Sequence, residues 1–252
     1  METPHDCCSP QDTPGEHRRR FLKSSVGFAA MGILGGYTLG APNVSFAAAM
    51  SKEDRDKLTP DQIIEMMKQG NERFRAGKMQ PHDYLEQKRT SAAGQYPAAV
   101  ILSCIDSRAP AEIILDLGIG DAFNARIAGN IANDDLLGSM EFACAAAGAK
   151  VILVMGHTAC GAVKGAIDGV KLGNLTGLLD KIKPSIQATQ YAGERSSKND
   201  AFVDEVAKTN VRLTLDAIRR RSEVLARLEK DGKIKLAGSM YHLMGGRVEF
   251  LT

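Results

Sequence analysis

Ala98-Ala99-Val100-Ile101-Leu102-Ser103-Cys104 and Val151-Ile152-Leu153-Val154-Met155 are the two stretches that decide the fold. Each is a continuous apolar run, without the alternation of a strand that faces water on one side, and each is too short for a buried helix. Runs of this kind are strands covered on both faces, and such strands belong to parallel sheets with helices above and below. The surrounding sequence supplies the helices. Thr59-Pro60-Asp61 opens one after a polar lead from Ser51 to Lys57, with Ile63, Ile64, Met67 and Phe74 on one side and Gly77 as its stop. A polar loop with His82 and Pro97 then leads to the first run. Between the runs we expect a short helix after Pro110, a short strand around Phe123 to Ile127, and an Ala-rich helix opened by Asn133-Asp134-Asp135.

Downstream, apolar residues recur at helical spacing from about Leu175 to Tyr191 and from Phe202 to Leu228, with Gly232 as the stop. Two last strands, Ile234 to Leu243 and Val248 to Leu251, are joined by a Gly245-Gly246 turn. The expected fold class is α/β, a mostly parallel central β-sheet flanked by helices. With 252 residues, 44% of them hydrophobic and 25% charged, the chain can build one sizeable core. A net charge of +2, no long basic block and few aromatics argue against nucleic acid as a partner.

The first 49 residues read as an address. Arg18-Arg19-Arg20-Phe21-Leu22-Lys23 precedes an uncharged, Gly-rich apolar stretch from Ser24 to Gly40, and Ala47-Ala48-Ala49 supplies small residues for a peptidase. The order resembles a twin-arginine export signal, so residues 1–49 are expected to be removed after passage through the twin-arginine machinery. Residues 50–252 would be the mature domain, periplasmic or otherwise exported from a bacterial cell. A membrane anchor is the alternative, but 17 apolar residues diluted by Gly and Ser are short for a span. Removal takes equal numbers of acidic and basic residues and both Cys7 and Cys8. Three cysteines remain, an odd number in a compartment where free thiols oxidise, and metal ligation would protect them.

Two clusters carry chemistry. Cys104-Ile105-Asp106-Ser107-Arg108 falls at the carboxyl end of the first run, and His157-Thr158-Ala159-Cys160 at the carboxyl end of the second, where open α/β sheets place their sites. Two thiols, an imidazole and a carboxylate suit tetrahedral Zn²⁺. His157 and Cys160, three apart at a helix start, can face one point, and the helix N-terminus favours a Cys160 thiolate. Taken singly, a strand-end cysteine is a small buried hydrophobe and a histidine before a helix is a cap; the combined set outweighs both readings. Cys144, in the Ala-rich helix without such neighbours, reads as packing, and His82 and His242 as surface or structural residues. A structural zinc site gains nothing from Arg108. Asp106 can either close the metal site as fourth ligand or pair with Arg108 and leave that position to water, which zinc would ionise near neutral pH.

Cys-x-Asp-x-Arg followed by His-x-x-Cys resembles the zinc signature of β-class carbonic anhydrases. The likeness extends to Asp121-Ala122-Phe123, Arg126-Ile127-Ala128-Gly129-Asn130, Ser139-Met140-Glu141-Phe142, Gly156 to Gly161 and Gly246-Arg247-Val248-Glu249-Phe250-Leu251. It covers the chain from about residue 60 to the end. The resemblance implies Zn²⁺ on Cys104, His157 and Cys160, with Asp106 as the exchangeable fourth ligand, an Asp106 and Arg108 catalytic dyad, and carbon dioxide and bicarbonate as substrates. It also implies homodimers or dimer-based assemblies with sites near the interface. Gln95, nine residues before Cys104, sits where the family places a substrate-orienting Gln; Phe123 matches the apolar wall, and Gly161 borders the pocket beside Cys160. Phe142 stands where a Tyr is often found, which removes a hydroxyl from the pocket. The chain has no Trp, so a Trp-dependent bicarbonate pocket is not expected. Two other readings share these residues: a carbon disulfide or carbonyl sulfide hydrolase, and a non-catalytic exported zinc-binding protein.

Overall fold

Residues 48–251 are described by the computed structural model, so the expected signal, apart from its last two residues, and Cys7 and Cys8 lie outside the described residues. The chain runs α1 (Lys52–Lys57), α2 (Pro60–Arg75), α3 (Tyr84–Ser91), β1 (Ala99–Ser103), α4 (Ala111–Ile114), β2 (Ala122–Arg126), α5 (Asp134–Glu141), β3 (Val151–His157) and α6 (Gly161–Ile167). It continues through α7 (Gly173–Asp180), α8 (Lys183–Ala188), α9 (Asp200–Arg221), α10 (Glu223–Lys230), β4 (Lys235–Tyr241) and β5 (Val248–Leu251). No helix among the described residues is long and apolar enough to cross a membrane.

The five strands lie in the order β2-β1-β3-β4-β5, with the first four parallel and β5 antiparallel. Every residue of β1 and β3 is buried, as their unbroken apolar sequence requires. One face carries Val100, Leu102, Ile152 and Val154 against Val206, Val211 and Ile218. The other carries Ile101, Leu153 and Met155 against Ile63, Met67, Ile114 and Leu115. Each such side chain taken from water stabilises the fold by roughly 1.5–3 kcal/mol. Helix α9 lies close on the sheet because glycines meet it there: a Cβ on Gly156 would stand 2.8 Å from Val211 Cγ2, and one on Gly238 2.8 Å from Val211 Cγ1.

The helix starts expected from capping residues are present. Thr59 and Gln62 form a capping box on α2 with Pro60 in its first turn, and the side chain of Asn133 accepts the Leu136 N–H at the start of α5. The differences are local. The polar lead folds as α1, capped by Ser51, and docks through buried Arg55, whose Nη1 donates to the Ala147 carbonyl at 2.6 Å. The polar loop after His82 contains α3, capped by Asp83. Neither segment has the apolar stripe that periodicity detects, because both are held by polar docking. Ser222 splits the expected long helix into α9 and α10: it turns extended (φ −122°, ψ 101°), its Oγ accepts the Leu225 N–H, and its hydroxyl donates to Glu141 at 2.6 Å. Pro184 in the first turn of α8 likewise divides the helix expected from Leu175 to Tyr191. The Ala-rich helix ends in a π-type turn, Phe142–Ala146, that buries Cys144.

Candidate metal centre

Strands β1 and β3 are neighbours in a register that sets Ser103 beside Met155, so Cys104 emerges next to His157, the last residue of β3. Cys160 follows as the N-cap of α6. The sulfurs of Cys104 and Cys160 and a ring nitrogen of His157 lie within 4.8 Å of one another, and all three residues are buried. His157 Nδ1 donates to its neighbour's carbonyl, Thr158 O, at 2.9 Å. That bond leaves Nε2 with its lone pair, and Nε2 is buried with no hydrogen-bond partner. An orphaned acceptor between two sulfurs is costly unless a cation completes it.

The two loops are held from outside. Arg126, the last residue of β2, donates to the Cys104 carbonyl from Nε at 2.9 Å and to the Asp106 carbonyl from Nη2 at 2.6 Å. Thr158 N–H bonds Tyr241 O, and its Oγ1 accepts the Leu243 N–H at 3.0 Å. Ala159 sits in the left-handed region at φ 52°, and its N–H donates to Asp204 Oδ1 at 2.8 Å. For alanine that conformation costs roughly 1–2 kcal/mol, so the surrounding contacts impose it. Gly129, at φ 70°, turns its N–H to the Cys104 sulfur at 3.4 Å.

Cys104 and Cys160 share charge unequally. The hydrogen bond from Cys160 brings the Cys104 thiol down to about 4 against the effect of burial, helped by His157 and the Gly129 N–H. The same bond, with burial, raises Cys160 despite the amides of Val163 and Ala162 at the helix start. Cys144 differs, since burial alone pushes its thiol up to about 12; it is packing, as expected.

Asp106 adopts the Arg-paired arrangement. Its Oδ1 accepts from Arg108 N at 2.9 Å and Nε at 3.0 Å, and its Oδ2 accepts from Nη2 at 2.8 Å. The Arg108 hydrogen bonds hold the carboxyl well below the usual carboxylate range. Oδ2 nevertheless stays 3.7 Å from His157 Nε2. Asp106 thus stands beside the three-ligand group and outside it.

A model of the carbonic anhydrase family matches residues 99–248. The chain belongs to the carbonic anhydrase family. Carbonic anhydrase 2 of Mycobacterium tuberculosis is 36% identical over 187 residues, covering 72% of this chain and 87% of that protein. The carbonic anhydrase of Mycolicibacterium smegmatis is 34% identical, covering 73% and 89%. Among solved structures, the β-carbonic anhydrase CafA of Aspergillus fumigatus superposes with a TM-score of 0.59 at 28% identity, covering 67% of this chain and 82% of that one. The tetrameric β-carbonic anhydrases of Sordaria macrospora give 0.56 at 26% identity, covering 64% and 83%. Class and fold are those of β-carbonic anhydrases, and the donor set, two sulfurs with one imidazole nitrogen, fits the zinc that such enzymes use.

The residues that the resemblance places around the substrate lie apart from one another. Gly161, exposed at the start of α6 with open space around it, borders the cluster. Gln95, Phe123 and Phe142 do not reach it. Gln95 is exposed before β1, and the strand from Ala98 to Cys104 separates it from the metal group by roughly 20 Å. Phe123 pairs with Val100 at the start of β1. Its ring meets Phe142 edge-on at 6.1 Å, and both line a groove with Asn124, Asp134 and Gly138 rather than with any ligand. His82 and His242, read as surface or structural residues, bond Asp116 at 3.0 Å and Glu249 at 3.0 Å. The holding residues Arg126, Asp204 and Asn210 carried no role in the sequence, since an Arg on a short strand and polar residues inside a helix look like ordinary surface positions.

Proposed function

We propose that the mature protein is an exported, dimeric carbonic anhydrase that interconverts carbon dioxide and water with bicarbonate and a proton. The observation that carries the reaction is the Asp106–Arg108 clamp beside a buried Cys₂His group whose His157 Nε2 lacks a partner. Zinc, when bound, supplies a Lewis acid that lets water ionise near neutral pH. The chain's part is positioning. His157 presents Nε2 because Thr158 O fixes the tautomer. Arg108 keeps Asp106 ionised, so Oδ2 can accept a hydrogen bond from the reacting water and direct its lone pair at carbon. The water's proton passes to solvent, and its oxygen forms the new C–O bond as one C=O π bond of carbon dioxide breaks and its electron pair moves to the oxygen that carries the charge of bicarbonate. A purely structural zinc site has no use for the clamp, and the relatives at 34–36% identity are carbonic anhydrases whereas a carbon disulfide hydrolase is 28% identical over 134 residues, so neither a sulfur-analogue hydrolase nor a non-catalytic zinc protein is favoured.

The test is Arg108→Ala, which frees Asp106 to bind the metal. Zinc should stay while carbon dioxide hydration falls by at least tenfold. An Arg108→Ala protein as active as wild type removes the clamp from the mechanism.

Dimerisation is supported by the position of Gln95, Phe123 and Phe142 at the far end of the strands, and by Ile105 and Phe142, 60% and 57% exposed. A second copy would bring those residues to the metal group of the first. Export is supported by the Arg18-Arg19 pattern and the apolar stretch that follows it. Changing both arginines to lysine should leave the precursor in the cytoplasm; normal processing would refute the twin-arginine reading.

A further inference from the structure

Helix α9 contributes Asp204 to Ala159, on the loop between His157 and Cys160, and Asn210 to Gly129, in the turn after β2 that faces Cys104. Asn210 is 2% exposed. Its Nδ2 donates to the Gly129 carbonyl at 2.7 Å, and its Oδ1 accepts the Ser185 hydroxyl at 3.0 Å. The Gly129 carbonyl can only accept, so the NH₂ end of the amide must face it, which leaves Oδ1 to accept the Ser185 hydroxyl. Gly129 is the residue whose N–H reaches the Cys104 sulfur, and it cannot be replaced there: a Cβ would stand 2.5 Å from Ile182 Cδ1 at a φ of 70°. Ser185, Asn210, Gly129 and Cys104 form one buried line from α8 to a metal ligand.

We infer that Asn210, held by Ser185, is a positioning residue for the metal centre: it fixes the Gly129 peptide so that its N–H tunes the Cys104 sulfur. An N–H bond to a thiolate withdraws electron density from sulfur and restrains its orientation, so it sets both how firmly the metal is held and how strongly sulfur donates to it. The carbonyl that Asn210 holds belongs to the residue whose N–H reaches the Cys104 sulfur, and that residue is a glycine at a φ of 70°, which only glycine adopts freely. The inference rests on the proposed zinc site and concerns its tuning.

The experiment uses the mature protein with cobalt in place of zinc, together with zinc competition by a chelator. Asn210→Leu removes the donor at similar volume. It should move the thiolate-to-cobalt charge-transfer band to longer wavelength and weaken zinc retention about ten- to hundredfold. Ser185→Ala, which frees the amide to rotate, should move both readings the same way by less, and it decides the matter if Asn210→Leu does not fold. Val203→Ala, a buried change on the same helix outside the line, should lower thermal stability with band and retention unchanged. Wild-type band and retention in Asn210→Leu and Ser185→Ala would overturn the inference and leave Asn210 structural. A wild-type protein with no cobalt–thiolate band would overturn the zinc reading itself, and this inference with it.

Discussion

The two ends of the same parallel strands are built to different degrees of completion. At the carboxyl end, Cys104, His157 and Cys160 are buried and converge, hydrogen bonds from Arg126 and Asp204 lock the loops that carry them, and Asn210 holds the Gly129 turn that faces Cys104. At the amino end, Gln95 and Phe142 are exposed, and Phe123 and Phe142 face a groove that they share with Asn124, Asp134 and Gly138 and with none of the metal-group residues. A donor set must be preorganised, because a metal site a fraction of an ångström too loose loses its ligand geometry, and here one chain brings all three donors together. Substrate walls tolerate assembly from two chains, since they need only shape and one or two polar contacts. The difference teaches that ligand chemistry is a property of the fold, whereas the pocket is proposed to be a property of the dimer.

The largest expected effect breaks the carboxyl end. Cys104→Ala, His157→Ala or Cys160→Ala should each lose zinc, from about one ion per chain to near none, with hydration at background and a lower melting temperature. Cys144→Ala is the matched control: an equally hidden thiol, neutral because burial alone sets it, whose loss should leave zinc intact. Full zinc retention in all three ligand variants would remove the site.

The next effect tests whether the amino end serves another chain. Gln95→Ala should reduce hydration by about tenfold or more with normal zinc content, since one charge-free hydrogen bond to the reacting groups is lost along with orientation. Refolding a mixture of Gln95→Ala and Cys104→Ala chains should restore part of the activity, because a mixed dimer carries one site with both an intact metal group and an intact Gln95. If mixtures never exceed the parents although mixed dimers form, Gln95 does not act across an interface.

The sequence and the structure diverge where local pattern carries no information. Strands β1 and β3 were legible because full burial leaves an unbroken apolar run, and the metal group because three ligand types at two strand ends have few other uses. The α1 and α3 helices were not, since docking by Arg55 and capping by Asp83 leave no stripe. The breaks at Ser222 and Pro184 lie inside continuous apolar periodicity and are set by tertiary contacts such as Ser222 with Glu141. The remoteness of Gln95 from the metal follows from the length of β1, but that of Phe123 follows from strand register and that of Phe142 from its packing on Phe123, neither of which a single linear pattern encodes. Asn210 and Asp204 are polar residues within a helix, indistinguishable by type from its solvated face.

The smallest effect sharpens the comparison most, because it changes the amino end by a single oxygen. Phe142 is 57% exposed and touches Phe123 edge-on, so in an isolated chain a hydroxyl at its tip would meet water and do nothing to the metal group. In a dimer whose partner site lies beneath that ring, the same hydroxyl would enter the pocket as a donor and acceptor. Phe142→Tyr should therefore leave zinc content and melting temperature unchanged and shift the hydration rate or the affinity for an anionic inhibitor about fivefold, the equivalent of one hydrogen bond worth about 1 kcal/mol. The measurement is the rate and inhibitor affinity of the Phe142→Tyr dimer at several protein concentrations. A shift that fades as the protein dissociates on dilution would place the ring over the partner's site; an unchanged rate and affinity in the intact dimer would mean that the groove of Phe123 and Phe142 stands apart from the chemistry.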